Sequence, residues 1–575
     1  MSNFSGRLIS SLFVIFVLLF HSFGFAQEKD NTIASPQTQN PDASQVTIPA
    51  TSSPTFDQVI GKVVEREHLF VAQMRHFHPL VETYIQNLKG AEDAAVPVSD
   101  QYFLGRLDMT NGTGDLEFKS QSGFGRRFVA KLTSIYGMKF LPLGFAQMVL
   151  LDENLQREFY KFSFVRREFL GDIRCLVIDI QPKDDTSGVR FKGRMWVEDQ
   201  DYNIVRFNGT YTPHQHDNYY LHFDTWRVNL RPGLWLPAFI YSEESNMVAR
   251  NGQKLHFKAQ TRLWGYDLQH IAHNEEFTQI MVDSPQSVTD QSVAAQDDTP
   301  VESERRWQLE AENNALERLQ TIGLLAPPGN VDKVLQTVVN NLIVTNNLDI
   351  QPGVRTRVLL TSPLESFTVG HTIVLSRGLI DVLPDEGSLA MVLAHELSHI
   401  ALGHKLDTKF AFNDRMFFPD EETFERIEFA RPPADEDAAD KKALELLTNS
   451  PYKDKLANAG LFLKALQERA PELKNLIRAH LGNSLANGKT LRMSALLNSA
   501  PTLDNQKTDQ IAALPLGGRI KLDPWSNQIE FVKTKPVALI SASEKMPFEV
   551  TPFFPHLARI PDMAHDKVAQ TVPQN

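Results

Sequence analysis

The run LAMVLAHELSHIAL, residues 389–402, constrains the fold of this chain more than any other segment. It lacks Gly and Pro and consists mostly of good helix formers, so we predict a helix. Because that helix is apolar on nearly every side, it must be buried. His395 and His399 are four residues apart and therefore lie on one face of it, one turn from each other. Buried imidazoles need polar partners, since unpaired polar groups cost free energy in a core.

A metal ion is one such partner. Two imidazole nitrogens placed one turn apart can both reach a zinc ion at about 2.0–2.1 Å. Glu396, beside the first His, can accept a proton from a water at the metal, as a general base does. The alternative is coincidence, because a His-Glu-x-x-His string arises by chance in roughly 3% of chains of this length and composition. The buried character of the helix favours the metal.

Zinc needs a third protein ligand, and a candidate lies in RPPADEDAADKKALELL, residues 431–447. A helix can begin after Pro432–Pro433, and the acids in its first turn suit the helix dipole. Glu436 and Asp440 would then share one face. The alternative is an ordinary solvated acidic helix start, and the spacing alone favours that alternative.

The pair of motifs, His-Glu-x-x-His and then Glu-x-x-Ala-Asp, resembles the zinc peptidase family of the CAAX prenyl protease, HtpX and BepA. SFTVGHTIVLSRGLIDVL, residues 366–383, resembles the strand and Gly-Leu-Leu/Ile element that precedes the zinc helix in that family. Gly403-His404 is similar to the Gly-His that often follows it. The likeness covers about residues 320–450, less than a quarter of the chain.

The resemblance implies a zinc metalloendopeptidase with one Zn²⁺ per chain. It makes His395, His399 and Glu436 the metal ligands, Glu396 the catalytic base, and Asp440 the acceptor that orients a ligand His. The fold it implies for this part is a mainly α zincin-type peptidase domain with a small sheet.

Two departures limit the resemblance. No His-Pro-x-x-x-x-Arg element occurs here, so His480 and Arg492 are the candidates for stabilising the transition-state oxyanion, and both fit surface positions equally well. The multiple membrane helices of the prenyl proteases are also absent, which points to the soluble branch. His404 falls on another face from His395 and is predicted to be a helix-end residue, not a ligand.

The rest of the chain predicts an α+β multidomain protein. At 575 residues it exceeds what one core usually supports. Its formal charge of −12, from 58 basic and 70 acidic residues, argues against nucleic-acid binding. The predicted segments are a signal peptide (1–26), a flexible linker (27–55), a β-rich domain (56–275), a second linker (276–304), the zinc peptidase core (305–455) and a helical and β tail that completes it (456–575).

The first 26 residues have the pattern of a signal peptide. Arg7 precedes the apolar stretch Leu8 to Phe20, and small residues, Gly24 and Ala26, occupy the −3 and −1 positions of a cleavage site. We therefore expect export to the periplasm or the medium. The alternative, an uncleaved N-terminal anchor, is less favoured because the run is short for a membrane span.

The region from about 100 to 270 predicts antiparallel hairpins with a helix packed on them. Turn residues divide RFKGRMWVEDQDYNIVRFNGTY, residues 190–211, into two strands, and Pro232-Gly233 divides the next pair. The pattern weakly resembles the LolA-like half-barrel of periplasmic lipid and lipoprotein carriers. Residues 56–88 carry apolar residues at helical spacing, and Asn330 is predicted to cap a later helix. Three tryptophans and the sole cysteine are predicted to be sheet core, although the tryptophans could instead line an apolar pocket: Trp196, Trp226, Trp235 and Cys175.

These observations predict a peptidase that hydrolyses polypeptides of the cell envelope in protein quality control. HTIVLSRG, residues 371–378, is predicted to present an edge to which a substrate strand adds. Residues 410–433 would form either a lid or a packed helix. The alternatives are a lipid-, lipoprotein- or polypeptide-binding envelope protein whose zinc domain is latent or structural, and a hybrid of chaperone and protease. Peripheral contact with a membrane or envelope proteins is also expected; the oligomeric state is not predicted.

Overall fold

The computed structural model describes part of the chain. The described residues are 55–90, 96–107, 109, 146–152, 155–184, 188–212, 221–248, 254–266, 268, 299–405, 429–479, 481–487, 490–504, 507, 510, 517–532, 548 and 550–560. The described residues belong to one compact unit. The predicted signal peptide (1–26) lies outside the described residues. The predicted domain boundaries near 275, 304 and 455 stay predictions.

The first helix, α1, spans Phe56–Met74, and Thr55 begins it with a capping box. The predicted helix was expected to continue to residue 88. That prediction is wrong beyond the end of α1, because strand β1 occupies Leu80–Lys89. Pro79 disfavours helical backbone at the residue before it. The following segment pairs with a strand on each side, and these sheet hydrogen bonds override its helical spacing.

Nine antiparallel strands form one large sheet. They are β1 (Leu80–Lys89), β2 (Val96–Arg106), β3 (Tyr160–Leu170), β4 (Ile173–Pro182), β5 (Arg190–Glu198), β6 (Ile204–Thr212), β7 (Phe223–Arg231), β8 (Leu234–Val248) and β9 (Lys254–Trp264). Their spatial order is β2-β1-β9-β8-β7-β6-β5-β4-β3. The hairpins predicted within 190–211 and around Pro232-Gly233 are confirmed as β5–β6 and β7–β8.

The two faces of the sheet are covered differently. One face packs on α1, with Val63, Met74 and Phe207 among the fully buried residues of that core. The other face shares a core with the C-terminal half of the chain. The three tryptophans and the cysteine singled out in the sequence are buried in this second core, as their interpretation as sheet core requires: Trp196, Trp226, Trp235 and Cys175.

The C-terminal half is mainly helical. Its helices are α2 (Pro300–Ile322), α3 (Asn330–Thr345), α4 (Arg377–Val382), α5 (Glu386–Ala401), α6 (Pro433–Thr448), α7 (Leu456–Arg469), α8 (Lys474–Ile477) and α9 (Ser494–Ser499). The cap predicted for α3 is wrong by one residue: the N-cap is Gly329, whose backbone N–H donates to Asp332 at 2.7 Å. None of the helices in the described residues is long and apolar enough to cross a membrane.

Short strands complete this half. They are β10 (Arg355–Leu359), β11 (Glu365–Val369), β12 (Thr372–Ser376), β13 (Asn483–Ser484), β14 (Ala486–Asn487), β15 (Thr490–Leu491), β16 (Ile520–Leu522) and β17 (Ile529–Phe531). Four of them form a small sheet in the order β10-β12-β11-β13. The predicted α+β class is therefore confirmed: a large antiparallel sheet precedes a helical region with a small sheet.

Candidate metal centre

Helix α5 carries the two histidines into the interior. Asp385 caps the helix by accepting a hydrogen bond from the Ser388 backbone at 2.7 Å. Residues 387–399 are all buried, as an apolar helix requires, and the helix packs against α3, α6, α7 and β11. His395 and His399 are only 2% and 1% exposed. Both side chains therefore depend on protein groups or an ion for their polar contacts.

Helix α6 brings the acids to the same place. It begins at Pro433, where a proline with no N–H to satisfy fits the first turn. Glu436 lies in the first turn and Asp440 one turn later, so both face α5. The two acids thus lie on one face of α6, as predicted, and that face packs against α5.

Three ligand atoms converge on one point. The Nε2 atoms of His395 and His399 are 3.1 Å apart, and each lies 3.3 Å from a carboxylate oxygen of Glu436. Donor atoms held tetrahedrally about 2.0–2.1 Å from one zinc ion would lie about 3.3 Å from one another. The set of two imidazoles and a carboxylate therefore fits a zinc ion in size and in chemistry.

The Glu436 carboxylate has an orphaned atom. Its Oε2 is buried and accepts no hydrogen bond from any described residue, although the Nε of Arg492 lies 3.1 Å away. That Nε is likewise buried without a hydrogen-bond acceptor. Buried polar atoms are rarely left unsatisfied in proteins, and a cation bound here would give this oxygen a partner.

Asp440 determines which nitrogen of His395 carries the proton. Its Oδ1 lies 2.8 Å from His395 Nδ1, and a carboxylate can only accept, so Nδ1 donates. The lone pair of Nε2 then faces the convergence point, as a metal ligand requires. Asp440 is itself held, because the Met493 backbone N–H donates to its Oδ2 at 2.7 Å. The structure places Asp440 beside His395, and its role as the acceptor that orients a ligand His stays a prediction.

His404 contacts the other histidine. It follows the end of α5, and its Nδ1 lies 2.9 Å from Nδ1 of His399. Arg431 holds the residue through a 2.8 Å hydrogen bond to its carbonyl oxygen. His404 is thus a helix-end residue outside the group formed by His395, His399 and Glu436, as the sequence predicts. Its contact with the ring of His399 is not predicted by the sequence.

Glu396 points to a different neighbour, the strand β11. Its Oε1 accepts a hydrogen bond from the Ser366 hydroxyl at 2.6 Å and another from Arg492 Nη1 at 3.0 Å. The carboxylate is 2% exposed and Ser366 is fully buried. Arg492, a candidate from the sequence, is therefore at the site and not at the surface. His480, the other candidate, lies outside the described residues.

The surrounding charges keep both glutamates ionised. Burial alone would raise the pKa of Glu396, but the guanidinium of Arg492 and the nearby imidazoles outweigh it and lower that pKa. Burial opposes ionisation of Glu436 too, and contacts with His395 and His399 hold its pKa far below the ordinary range. Carboxylates kept in the charged form are what a metal ligand and a general base require.

Two predictions about the surroundings have different outcomes. The proposed substrate edge at 371–378 is wrong, because β12 pairs with β10 on one side and with β11 on the other. A strand with partners on both sides has no free hydrogen-bonding edge. Of the predicted lid or packed helix at 410–433, residues 410–428 lie outside the described residues.

Sequence reasoning missed Ser366 and Arg431 as residues of this centre. Ser366 lies in a buried strand with no motif around its hydroxyl, and Arg431 donates to the Thr368 hydroxyl at 2.8 Å as well as to His404. The one available signal was the position of Ser366 at the start of the segment that resembles the peptidase family. Nothing in that resemblance singles out a hydroxyl there.

Comparison with protein families gives one match. The description "Peptidase family M48" applies to residues 330–414. This confirms the predicted resemblance to a metallopeptidase family. The match contains His395, Glu396 and His399 and ends before Glu436, so the candidacy of Glu436 as a third ligand rests on the geometry. No curated protein matches the chain.

The chain also has weak similarity to several solved structures. A DUF1329 family protein from Desulfovibrio piger is 10% identical and covers 36% of this chain and 94% of its own, with a TM-score of 0.21. A putative outer membrane lipoprotein-sorting protein domain from Vibrio parahaemolyticus is 13% identical and covers 38% and 98%, with a TM-score of 0.21. A LolA superfamily protein from Nitrosomonas europaea is 11% identical and covers 37% and 92%, with a TM-score of 0.20. Similarities this weak carry no conclusion about function.

Proposed function

We propose, on the premise that residues 330–414 match peptidase family M48, that this chain is a zinc-dependent endopeptidase. The observation that carries the proposal is the approach of two imidazole nitrogens and one carboxylate to within 3.3 Å of one another in a buried site. His395, His399 and Glu436 would hold one Zn²⁺. When bound, such an ion lowers the pKa of a water and polarises the scissile carbonyl.

The remaining residues would handle protons and charge. Glu396 would accept the proton of the attacking water and pass it to the leaving amine. Asp440 would keep the proton of His395 on Nδ1, 2.8 Å away, so that Nε2 stays a ligand. Arg492 would stabilise negative charge on the substrate's carbonyl oxygen, since its guanidinium already lies between Glu396 and Glu436.

We further propose that the substrates are polypeptides of the cell envelope and that the role is protein quality control. The location rests on the signal-peptide pattern in residues 1–26. Unfolded casein is the first substrate to test.

No contact among the described residues favours the alternative of a lipid- or polypeptide-binding protein with a latent zinc domain. The tryptophans that could line a ligand pocket pack against the chain itself. Trp226 contacts Phe554 with a ring-centroid distance of 6.1 Å, and Arg559 lies 5.8 Å over Trp235. Two of the three tryptophans are therefore in contact with the C-terminal segment.

The test uses the full-length protein, measured for zinc content and for hydrolysis of unfolded casein. Replacement of Glu396 by Gln keeps the size of the side chain but removes the base, so we expect activity to fall by about 10²–10⁴-fold. Zinc should stay bound, because Glu396 is not among the three converging ligands.

The matched control is Glu386→Gln. Glu386 lies in the first turn of the same helix with its side chain 50% exposed, and this variant should keep full activity. Undiminished hydrolysis by the Glu396 variant would refute the role of that residue. A wild-type protein that neither binds zinc nor cleaves casein would refute the proposed function.

A further inference from the structure

The Ser366 hydroxyl lies in direct contact with the carboxylate of Glu396. Its Oγ is 2.6 Å from Glu396 Oε1, and the serine is fully buried in the middle of the small sheet. We propose that Ser366 is a positioning residue that orients the general base, so that one carboxylate oxygen is held and the other faces the attacking water. The inference rests on the proposed function, because it assigns a role relative to Glu396.

The direction of the hydrogen bonds follows from chemistry. Arg492 Nη1 lies 3.3 Å from Ser366 Oγ and 3.0 Å from Glu396 Oε1, and a guanidinium can only donate. The serine oxygen therefore accepts from Arg492, and its single proton is directed to Glu396. Both hydrogen bonds recorded for the carboxylate among the described residues end on Oε1.

That arrangement restricts a flexible side chain. Glutamate has three rotatable bonds, and its terminal torsion is broad, so burial alone does not set the plane of the carboxylate. Two donors on the same oxygen, one from β11 and one from the segment before α9, define that plane. A base that is already held in one orientation loses little conformational entropy on reaching the transition state. Its positioning therefore lowers the activation free energy.

Ser366 suits this task because its backbone is fixed. It pairs with Leu375 of β12 and with Asn483 of β13, so partners lie on both sides. The next residue, Phe367, stacks on Phe429 with a centroid distance of 4.5 Å and an interplanar angle of 8°. The hydroxyl is thus presented from a rigid element, and it carries no charge. Its removal would leave the ligands and the charge balance of the centre unchanged.

A purely structural role is the competing explanation, since a buried hydroxyl needs a partner in any case. The chain offers a matched control in Ser398. It is also fully buried, and its hydroxyl donates to the Ala394 carbonyl of its own helix at 2.7 Å. Ser366→Ala and Ser398→Ala each remove one buried hydroxyl, but only the first removes a contact with the proposed base.

The experiment compares Ser366→Ala, Ser366→Thr and Ser398→Ala in the full-length, zinc-loaded protein. For each variant, kcat and KM are measured on an internally quenched peptide, together with bound zinc and the crystal structure around Glu396. In Ser366→Ala we expect kcat to fall about 10- to 100-fold, part of what a general base contributes, with KM and zinc content unchanged.

The other readouts separate positioning from stability. Ser366→Thr keeps the hydroxyl in a residue suited to strands and should recover most of kcat. Ser398→Ala should retain wild-type kcat. In crystals of zinc-loaded Ser366→Ala, the Glu396 carboxylate should adopt a different orientation or more than one orientation, instead of the single one beside β11.

Three results would overturn the inference. They are wild-type kcat in Ser366→Ala, a loss of zinc that accounts for its lower rate, or an equal loss in Ser398→Ala. A wild-type protein without peptidase activity refutes the proposed function and this inference together. An active wild type with an equally active Ser366→Ala refutes the inference alone.

Discussion

Two buried acid–arginine contacts, one under α1 and one at the metal centre, are built differently. Beneath α1, Arg227 donates from Nη1 and Nη2 to the two oxygens of Glu67, both at 2.7 Å. At the metal centre, Arg492 is shared between two acids, lying 3.0 Å from Glu396 and 3.1 Å from Glu436. The first acid has a partner for each oxygen, whereas Glu436 Oε2 accepts no hydrogen bond from the described residues.

This difference distinguishes an ion pair that only stabilises the fold from a group of residues that could bind a ligand. A two-pronged pair compensates both charges and gives each carboxylate oxygen a donor. At the metal centre, Glu396 and Glu436 share the guanidinium of Arg492. Glu436 also lies beside both imidazoles, and Asp440 contacts one of them. Burial on its own therefore does not mark the functional residues. What marks them is the convergence of two imidazole nitrogens and a carboxylate to within 3.3 Å of one another.

The largest effect is expected from Glu436→Gln. The amide keeps the shape but is a poor zinc ligand, and loss of one of three ligands should weaken zinc binding by about 10³-fold or more and abolish peptidase activity. Zinc affinity is measured by competition with a chelator. The control is Glu445→Gln on the same helix, with a side chain 59% exposed, which should bind zinc normally. Unchanged zinc affinity in the Glu436 variant would contradict the ligand set.

The next effect is expected from Glu67→Gln, which leaves the Arg227 charge buried and only partly compensated. Both residues are 1% exposed, so the free energy of unfolding should fall by about 3 kcal/mol or more. Urea unfolding measures it, with exposed Glu65→Gln on the same helix as the control. Zinc affinity should not change. A Glu67→Gln variant that keeps its stability but loses zinc would contradict the assignment of Glu67–Arg227 as a structural ion pair separate from the metal centre.

The smallest effect concerns Glu198, fully buried in the sheet region. Burial opposes its ionisation, but backbone N–H groups of Asn203 and Gln200 and the Arg559 guanidinium lower its pKa below the ordinary 4.5. A lowered folded-state pKa contributes stability above the unfolded value, and that stability is lost as the pH falls through the folded value.

Glu198→Gln should therefore be less stable than the wild type at neutral pH and lose less stability on acidification below the ordinary pKa of 4.5. Unfolding midpoints at several pH values measure this. Glu158→Gln, which changes an exposed residue in the turn before β3, is the control and should follow the wild-type acid profile. Parallel profiles for the wild type and the Glu198 variant would rule out this contribution.

Features that depend on neighbours in the chain were predictable. The apolar helix with two histidines, the acidic helix after two prolines and the hairpins around turn residues all follow from spacing over a few residues. The helix predicted through residue 88 failed, because the local pattern of 80–88 is overridden by strands that are distant in the sequence. The substrate edge predicted at 371–378 failed for the same reason, since partners on both sides are a property of the assembled sheet.

The sequence by itself determined that His395 and His399 share one face of a buried helix, because helical geometry sets that relation within four residues. Only the tertiary structure decided that Asp440, 45 residues from His395, touches its ring and that Ser366, 30 residues before Glu396, holds the carboxylate. Such contacts depend on how helices and strands pack, and packing is the sum of many weak interactions over the whole core. No spacing within a motif encodes them.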